Sequence, residues 1–62
     1  MKFTKIQDKD TRQITKFLVN NKPVTQKEFD DKHFELTNKG KIYNSSFTTR
    51  DKDDNFKHTY YL

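Results

Sequence analysis

Enzymatic chemistry needs reactive residues in particular combinations, and this sequence shows none of the usual ones. Cysteine is absent and histidine occurs twice, at His33 and His58, so there is neither a cysteine nucleophile nor a cysteine-ligated zinc site. Ser45 and Ser46 lack a nucleophile-elbow motif. Gly40 is the single glycine, so a glycine-rich phosphate loop is also absent. The sequence therefore predicts a non-enzymatic protein that uses no cofactor.

Metal binding is also poorly supported by the spacing of acidic residues. Asp30 lies three residues before His33 and could share a helix edge with it, which gives at most two ligands. The acidic run 51–55 suggests a calcium loop, but residues 51–62 contain neither the central glycine nor the final glutamate that an EF-hand requires. We therefore expect Asp30 and His33 to lie on the surface of a helix, and the acidic run 51–55 to form a solvated turn.

A basic and aromatic surface is the alternative functional hypothesis. The chain has 13 Lys and Arg against 9 Asp and Glu, and single-stranded nucleic acids bind to lysine-lined grooves with exposed rings. The candidate residues are Lys41, Tyr43, Lys57 and Tyr60. Asp51, Asp53 and Asp54 interrupt this patch, and each half of the chain has the same net charge of +2. Nucleic-acid binding is thus the second interpretation.

Protein binding is the first interpretation. Two hairpins with apolar residues on both faces are predicted below, and one helix can cover only one face of a sheet. The other face would expose aromatic side chains, which is typical of an interaction surface. The candidate contact residues are Tyr43, Phe47, Arg50, Lys57, Tyr60 and Tyr61. An edge strand could also pair with a partner or with a second copy, so we also consider a homodimer.

The clearest local signal is the start of a helix. Thr25 and Glu28 have the spacing of a capping box, and Val24 and Phe29 have that of a hydrophobic staple. The sequence allows two positions for the C-terminal end of this helix. Helical spacing of the apolar residues as far as 36, followed by Gly40, favours an end near residue 38. The other interpretation ends the helix near residue 32 and makes 34–37 a strand.

The last third of the chain predicts a hairpin. Residues 41–49 and 56–62 both alternate in polarity around the polar run 50–55. Matching the aromatics places Phe47 opposite Phe56, with a turn at Asp51-Lys52, and a longer loop that uses residues 53–55 stays open as the alternative. This register puts Tyr43, Phe47, Phe56 and Tyr60 on one face.

The first third predicts a second hairpin. Residues 2–7 and 13–19 are rich in strand-forming residues, and pairing Phe3 with Phe17 places a turn at 9–11. One face then holds Phe3, Phe17 and Val19, and the other holds Ile6, Ile14 and Leu18. Asn20-Asn21 suits a tight turn because Asn tolerates positive φ.

Together these elements predict a single α+β domain over 1–62, with the order β-β-α-β-β and one helix packed on one face of an antiparallel sheet. If 11–19 is helical instead, the pattern resembles a miniature winged helix-turn-helix, with residues 20–25 as the turn.

Composition also suggests a source and a compartment. Lys, Asn, Asp, Phe, Tyr and Ile are abundant while Ala is absent, as in proteins from AT-rich genomes. A chain this short suits a phage or mobile-element protein that binds and inhibits a host protein. Residues 1–5 show no apolar signal segment, and the lack of cysteine fits a reducing compartment, so we expect a cytoplasmic protein that does not contact membranes.

Overall fold

The computed structural model describes residues 1–40 and 45–62, which form a five-stranded antiparallel sheet with one helix on one side. The elements are β1 (Lys2–Gln7), β2 (Ile14–Val19), β3 (Lys22–Val24), α1 (Gln26–Asn38), β4 (Ser45–Arg50) and β5 (Phe56–Tyr61). The strand order across the sheet is β3-β2-β1-β5-β4. The α+β prediction is confirmed, and β3 is an additional short strand that it lacked. Within the described ranges no helix is both long and apolar enough to cross a membrane.

Helix α1 begins and ends where its capping residues indicate. The Thr25 hydroxyl accepts a hydrogen bond from the backbone N–H of Glu28 at 3.2 Å. At the other end Gly40 has φ +83°, and its N–H donates to the Thr37 carbonyl at 3.0 Å. The longer helix is therefore confirmed, and the interpretation that ended it near residue 32 is wrong.

The first hairpin is extended by a third strand at its edge. Asn20 and Asn21 have φ of +52° and +69°, as a tight hairpin turn requires. The turn leads into β3, where Pro23 sits at the edge of the sheet and so needs no ladder N–H. Because β2 is a strand, the winged helix-turn-helix alternative is wrong.

The register of this hairpin differs from the prediction by two residues. Phe3 pairs with Val19 and Lys5 with Phe17, rather than Phe3 with Phe17. An even shift leaves the side chains of Phe3, Ile6 and residues 17–19 on their predicted faces. A bulge between Ile6 and Gln7 then brings Ile14 opposite Gln7, so the prediction that Ile14 shares a face with Ile6 and Leu18 is wrong.

The second hairpin has a register that the aromatic match did not anticipate. Phe47 pairs with Thr59, not with Phe56. One carboxylate oxygen of Asp51 accepts hydrogen bonds from the N–H groups of Asp53 and Asn55, both at 2.9 Å. The loop therefore spans 51–55, which confirms the longer-loop alternative, and the two-residue turn at Asp51-Lys52 is wrong. The resulting shift of three residues is odd, and an odd shift moves one strand's side chains to the opposite face.

The hydrophobic core lies between α1 and one face of the sheet. Phe29 meets Phe3 edge to face at 5.2 Å between ring centroids, and Phe17 also lies 5.2 Å away. Phe3 is fully buried and Phe29 is 2% exposed. Leu62 is buried with them, and the partly buried residues around this cluster are Phe17, Val19, Val24, Leu36 and Tyr60. The helix lies closest to β2, and β4 is exposed along its whole length.

Candidate functional site

The side of the sheet away from α1, here called the helix-free face, carries an ordered set of side chains. Strand pairing places Pro23, Leu18, Thr4, Thr59 and Phe47 opposite one another in succession across all five strands. We call these residues the threonine row. Phe3 and Tyr60, one residue away on β1 and β5, face the core instead, so the row lies on the other side of the sheet.

The centre of the threonine row is a low floor between larger side chains. Thr4 and Thr59 are 2% and 1% exposed, whereas Phe47 at the end of the row is 48% exposed. The Thr4 hydroxyl oxygen is buried and finds no hydrogen-bond partner among the described residues. The threonine row therefore presents an apolar, methyl-rich surface from which the Phe47 ring projects into solvent.

A second row runs beside the first and supplies positive charge. Lys16, Ile6, Lys57 and Thr49 follow one another across β2, β1, β5 and β4, and we call them the lysine row. Ile6 is 7% exposed between the two lysines. These four residues form a groove with Leu18 and the 50–53 segment of the β4–β5 loop.

An aromatic pair completes this face on the other side of the threonine row. Tyr61 lies between Lys2 and Ser45 in the pairing, and its ring is 6.0 Å from that of Phe47. Both rings belong to the half of the sheet furthest from the helix. The helix-free face thus combines an aromatic corner, a small-residue floor and a lysine row.

The structure divides the residues predicted for protein contact between two faces. Phe47, Lys57 and Tyr61 come together on the helix-free face. Tyr60 packs against the core instead, because the odd register shift places it opposite Ser46 and not in line with Phe47. Tyr43 lies outside the described residues.

Arg50 also lies on the helix side of the sheet. It pairs with Phe56, its guanidinium carbon is 4.0 Å from the centre of that ring, and it donates to the Asp54 carbonyl at 2.8 Å. Arg12 approaches the same ring at 5.5 Å. The Arg50 guanidinium therefore stabilises its own hairpin, while the 50–53 segment to which Arg50 belongs lines the groove beside Lys57.

The residue set of the nucleic-acid alternative is not assembled on one face either. Lys57 lies in the lysine row, whereas Tyr60 lies on the helix side. Lys41 and Tyr43 are outside the described residues. The predicted combination of these four residues therefore lacks a common surface among those that can be placed.

Both histidines are engaged by neighbouring side chains. His33 packs edge to face on Phe3 at 5.5 Å, inside the core side of α1. On β5, His58 places Nε2 2.8 Å from Gln7 Oε1 and Nδ1 3.0 Å from Thr48 Oγ1, and its ring stacks on that of Phe56. Over residues 1–40 and 45–62 no three His, Asp or Glu side chains converge as metal ligands would.

The loop carboxylates stabilise turns. The N–H groups of Thr11 and Asp10 donate to Asp8, and these hydrogen bonds lower its pKa below the usual 3.8. Hydrogen bonds from the backbone, chiefly from Asn55, lower the pKa of Asp51 in the same way. In both loops these hydrogen bonds therefore favour the ionised carboxylate.

The predicted contact set lacked several apolar residues that are exposed or partly exposed, among them Leu18 and Phe34. Leu18 lies in the threonine row. The alternation along β2 predicts that its side chain is on the other face of the sheet from those of Phe17 and Val19. Phe34 is 69% exposed on α1, away from the face that Phe29 buries. The only sequence signal for this exposure is the spacing of Phe34 from Phe29, because residues five apart on a helix do not share a face.

Comparison with protein families, curated proteins and solved structures gives no match to this chain, so its function has to be argued from the geometry of the helix-free face.

Proposed function

We propose that the chain is a small non-enzymatic module that binds another protein through the helix-free face and modulates it by covering part of its surface. The observation that carries this proposal is the exposed ring of Phe47 beside the half-buried ring of Tyr61, next to the threonine row. Aromatic anchors beside a dry, close-packed floor are the usual centre of a protein–protein interface.

The distribution of charge supports a protein partner. The threonine row and the rings of Phe47 and Tyr61 are uncharged. Lys16 and Lys57 lie along one side of the threonine row, and Lys2 lies beside Tyr61 on the other side. An apolar centre with a charged border matches the anatomy of protein interfaces. A partner surface with exposed apolar groups and nearby carboxylates would complement both parts.

The role we propose needs no catalytic group. Histidine and loop aspartate side chains in the described segments bond to neighbours that stabilise the fold. Composition typical of AT-rich genomes fits a phage or mobile-element protein, so the proposed partner is a host protein that is inhibited when its surface is covered.

The test compares two exposed phenylalanines by affinity capture from the source cells. Phe47→Glu places a charge on the helix-free face, and Phe34→Glu places the same charge on the exposed side of α1. Leu18→Glu perturbs the helix-free face from β2, far from Phe47 in the pairing. Circular dichroism would first establish that each variant is folded.

We expect Phe47→Glu and Leu18→Glu to lose the partner that the unmodified chain captures, and Phe34→Glu to retain it. Removing one hot-spot side chain costs about 2 kcal/mol or more, which is on the order of a thirtyfold loss of affinity. If both helix-free-face variants capture the partner as well as the unmodified chain, this surface is not the interface.

A second function, the binding of single-stranded nucleic acid, is favoured by the lysine row together with the aromatic pair. Lys16 and Lys57 flank Ile6, and the rings of Phe47 and Tyr61 on the same face could stack on bases. Titration of fluorescent single-stranded oligonucleotides at two salt concentrations separates the candidates. Binding that weakens steeply with salt and is lost in Lys16→Gln/Lys57→Gln would favour nucleic acid over protein as the ligand.

A further inference from the structure

Strand β4 is an uncovered edge of the sheet. All its residues from Ser45 to Arg50 are exposed, and only β5 pairs with it in the described segments. The opposite edge, β3, is three residues long and contains Pro23, which protects it from strand pairing. Of the two edges, β4 is therefore the one able to accept another strand.

The direction of the backbone groups on β4 follows from the loop that ends it. The N–H of Asp51 donates to the Asn55 carbonyl at 3.0 Å, so the main-chain groups of Asp51 point towards the β5 side. Backbone groups alternate in direction along an antiparallel strand, and those of Phe47 and Thr49 therefore also point to β5. The N–H and carbonyl groups of Ser46 and Thr48 point outwards.

The sequence of this edge is chemically symmetric about Phe47. Residues 45–49 read Ser-Ser-Phe-Thr-Thr, with two hydroxyl residues on each side of the ring and no charge. Arg50, the next residue, has its charge engaged by Asp54, whose carboxylate lies 3.9 Å away. Two copies of this segment can therefore meet without bringing unpaired charges together.

We propose that β4 pairs antiparallel with β4 of a second copy about a two-fold axis at Phe47. In this register Ser46 and Thr48 of the two copies exchange main-chain hydrogen bonds, and Ser45 lies opposite Thr49. The two Phe47 residues form a non-hydrogen-bonded pair, in which opposite side chains are closest. Each hydroxyl meets a hydroxyl, and both kinds of pair stabilise antiparallel strands.

The shifted register with its axis at Thr48 is less favourable. It would place Ser46 opposite Arg50 and Phe47 opposite Thr49, so the two rings would not meet. The Phe47 axis instead joins two exposed rings, each already 6.0 Å from a Tyr61 ring, into one four-ring cluster. The dimer is a continuous ten-stranded sheet whose two helix-free faces lie on the same side.

Single cysteines test the register, because the chain has no other cysteine. At the axis the two Cα atoms of Phe47→Cys would be about 4.5 Å apart, within the range that a disulfide spans. Those of Thr49→Cys would be about 13 Å apart along the strands, beyond it. Oxidation with oxidised glutathione should convert Phe47→Cys to a species of twice the 7.6 kDa chain mass and leave Thr49→Cys monomeric.

Amide hydrogen exchange tests the unmodified chain, since Phe47→Cys also removes the paired rings. The N–H groups of Ser46 and Thr48 should exchange freely in dilute protein and become protected as concentration rises. Those of Phe47 and Thr49, which point to β5, should stay protected throughout. Unprotected Ser46 and Thr48 at all concentrations, with equal cross-linking of both cysteine variants, would overturn the dimer.

The dimer does not depend on the proposed function. Cross-linking and amide exchange use the purified chain without a partner, and Leu18→Glu acts on the binding face at a distance from β4. A chain that dimerises but captures no protein would refute the proposed function alone. A monomer that still captures its partner would refute the dimer alone.

Discussion

Replacing Thr4 by valine should stabilise the protein. The Thr4 side chain is 2% exposed, and its hydroxyl lacks a hydrogen-bond partner among the described residues. A buried polar group without a partner costs about 1–3 kcal/mol. Valine has nearly the same shape, suits a β-strand and leaves no group unsatisfied. We therefore expect the free energy of unfolding to rise by at least ~1 kcal/mol.

The expected change is large enough for routine measurement. For a domain of about this size, 1 kcal/mol moves the melting temperature by roughly 4–8 °C. Urea unfolding should show a higher midpoint with an unchanged slope, because the surface exposed on unfolding is the same. Thermal and urea unfolding followed by circular dichroism would measure both.

Thr4→Ser is the matched control. It keeps the unsatisfied hydroxyl and removes the methyl group, so it should lower the free energy of unfolding by about 1 kcal/mol. A Thr4→Val variant that unfolds at or below the temperature of the unmodified protein would refute the reasoning, because it would show that the hydroxyl contributes a favourable bond.

Other perturbations test the helix, the core and the loop. Thr25→Ala removes the cap and should cost about 1 kcal/mol in urea unfolding, whereas Lys27→Ala breaks an exposed ion pair and should change stability by less than ~0.5 kcal/mol; equal effects would contradict the capping role. Phe29→Ala should cost about 3–5 kcal/mol, a large part of the roughly 3–9 kcal/mol that a chain of this length has, so its urea midpoint should fall far below that of the unmodified chain. The lowered pKa of Asp51 means that its stabilising effect is present above pH 3.8 and lost as pH falls through the folded-state value. Asp51→Asn should therefore flatten the acid part of the stability–pH profile, and an unchanged profile would exclude this role.

The helix and the turn before β3 could be predicted because short-range chemistry specifies them. Thr25 with Glu28 defines the helix start, and a glycine at position 40 allows the positive φ that follows its end. Asn20 and Asn21 form the turn for the same kind of reason, since both tolerate positive φ. Each signal lies within a few residues of the feature that it produces.

The second hairpin could not be predicted to the residue because its loop decides the register. Matching Phe47 with Phe56 assumed a two-residue turn, whereas Asp51 binds two backbone N–H groups and closes a longer loop. That difference of three residues moved Phe47 to the face opposite Tyr60. Pairing between β1 and β5, which creates the threonine row, joins distant parts of the chain and leaves no local signal.

The most direct test of the central claim is amide hydrogen exchange of the chain with and without its captured partner. If the helix-free face is the interface, protection should increase on the strands around Leu18, Phe47 and Tyr61, and the exposed side of α1 around Phe34 should be unchanged. Protection confined to α1, with the helix-free face exchanging as in the isolated chain, would contradict the proposed function.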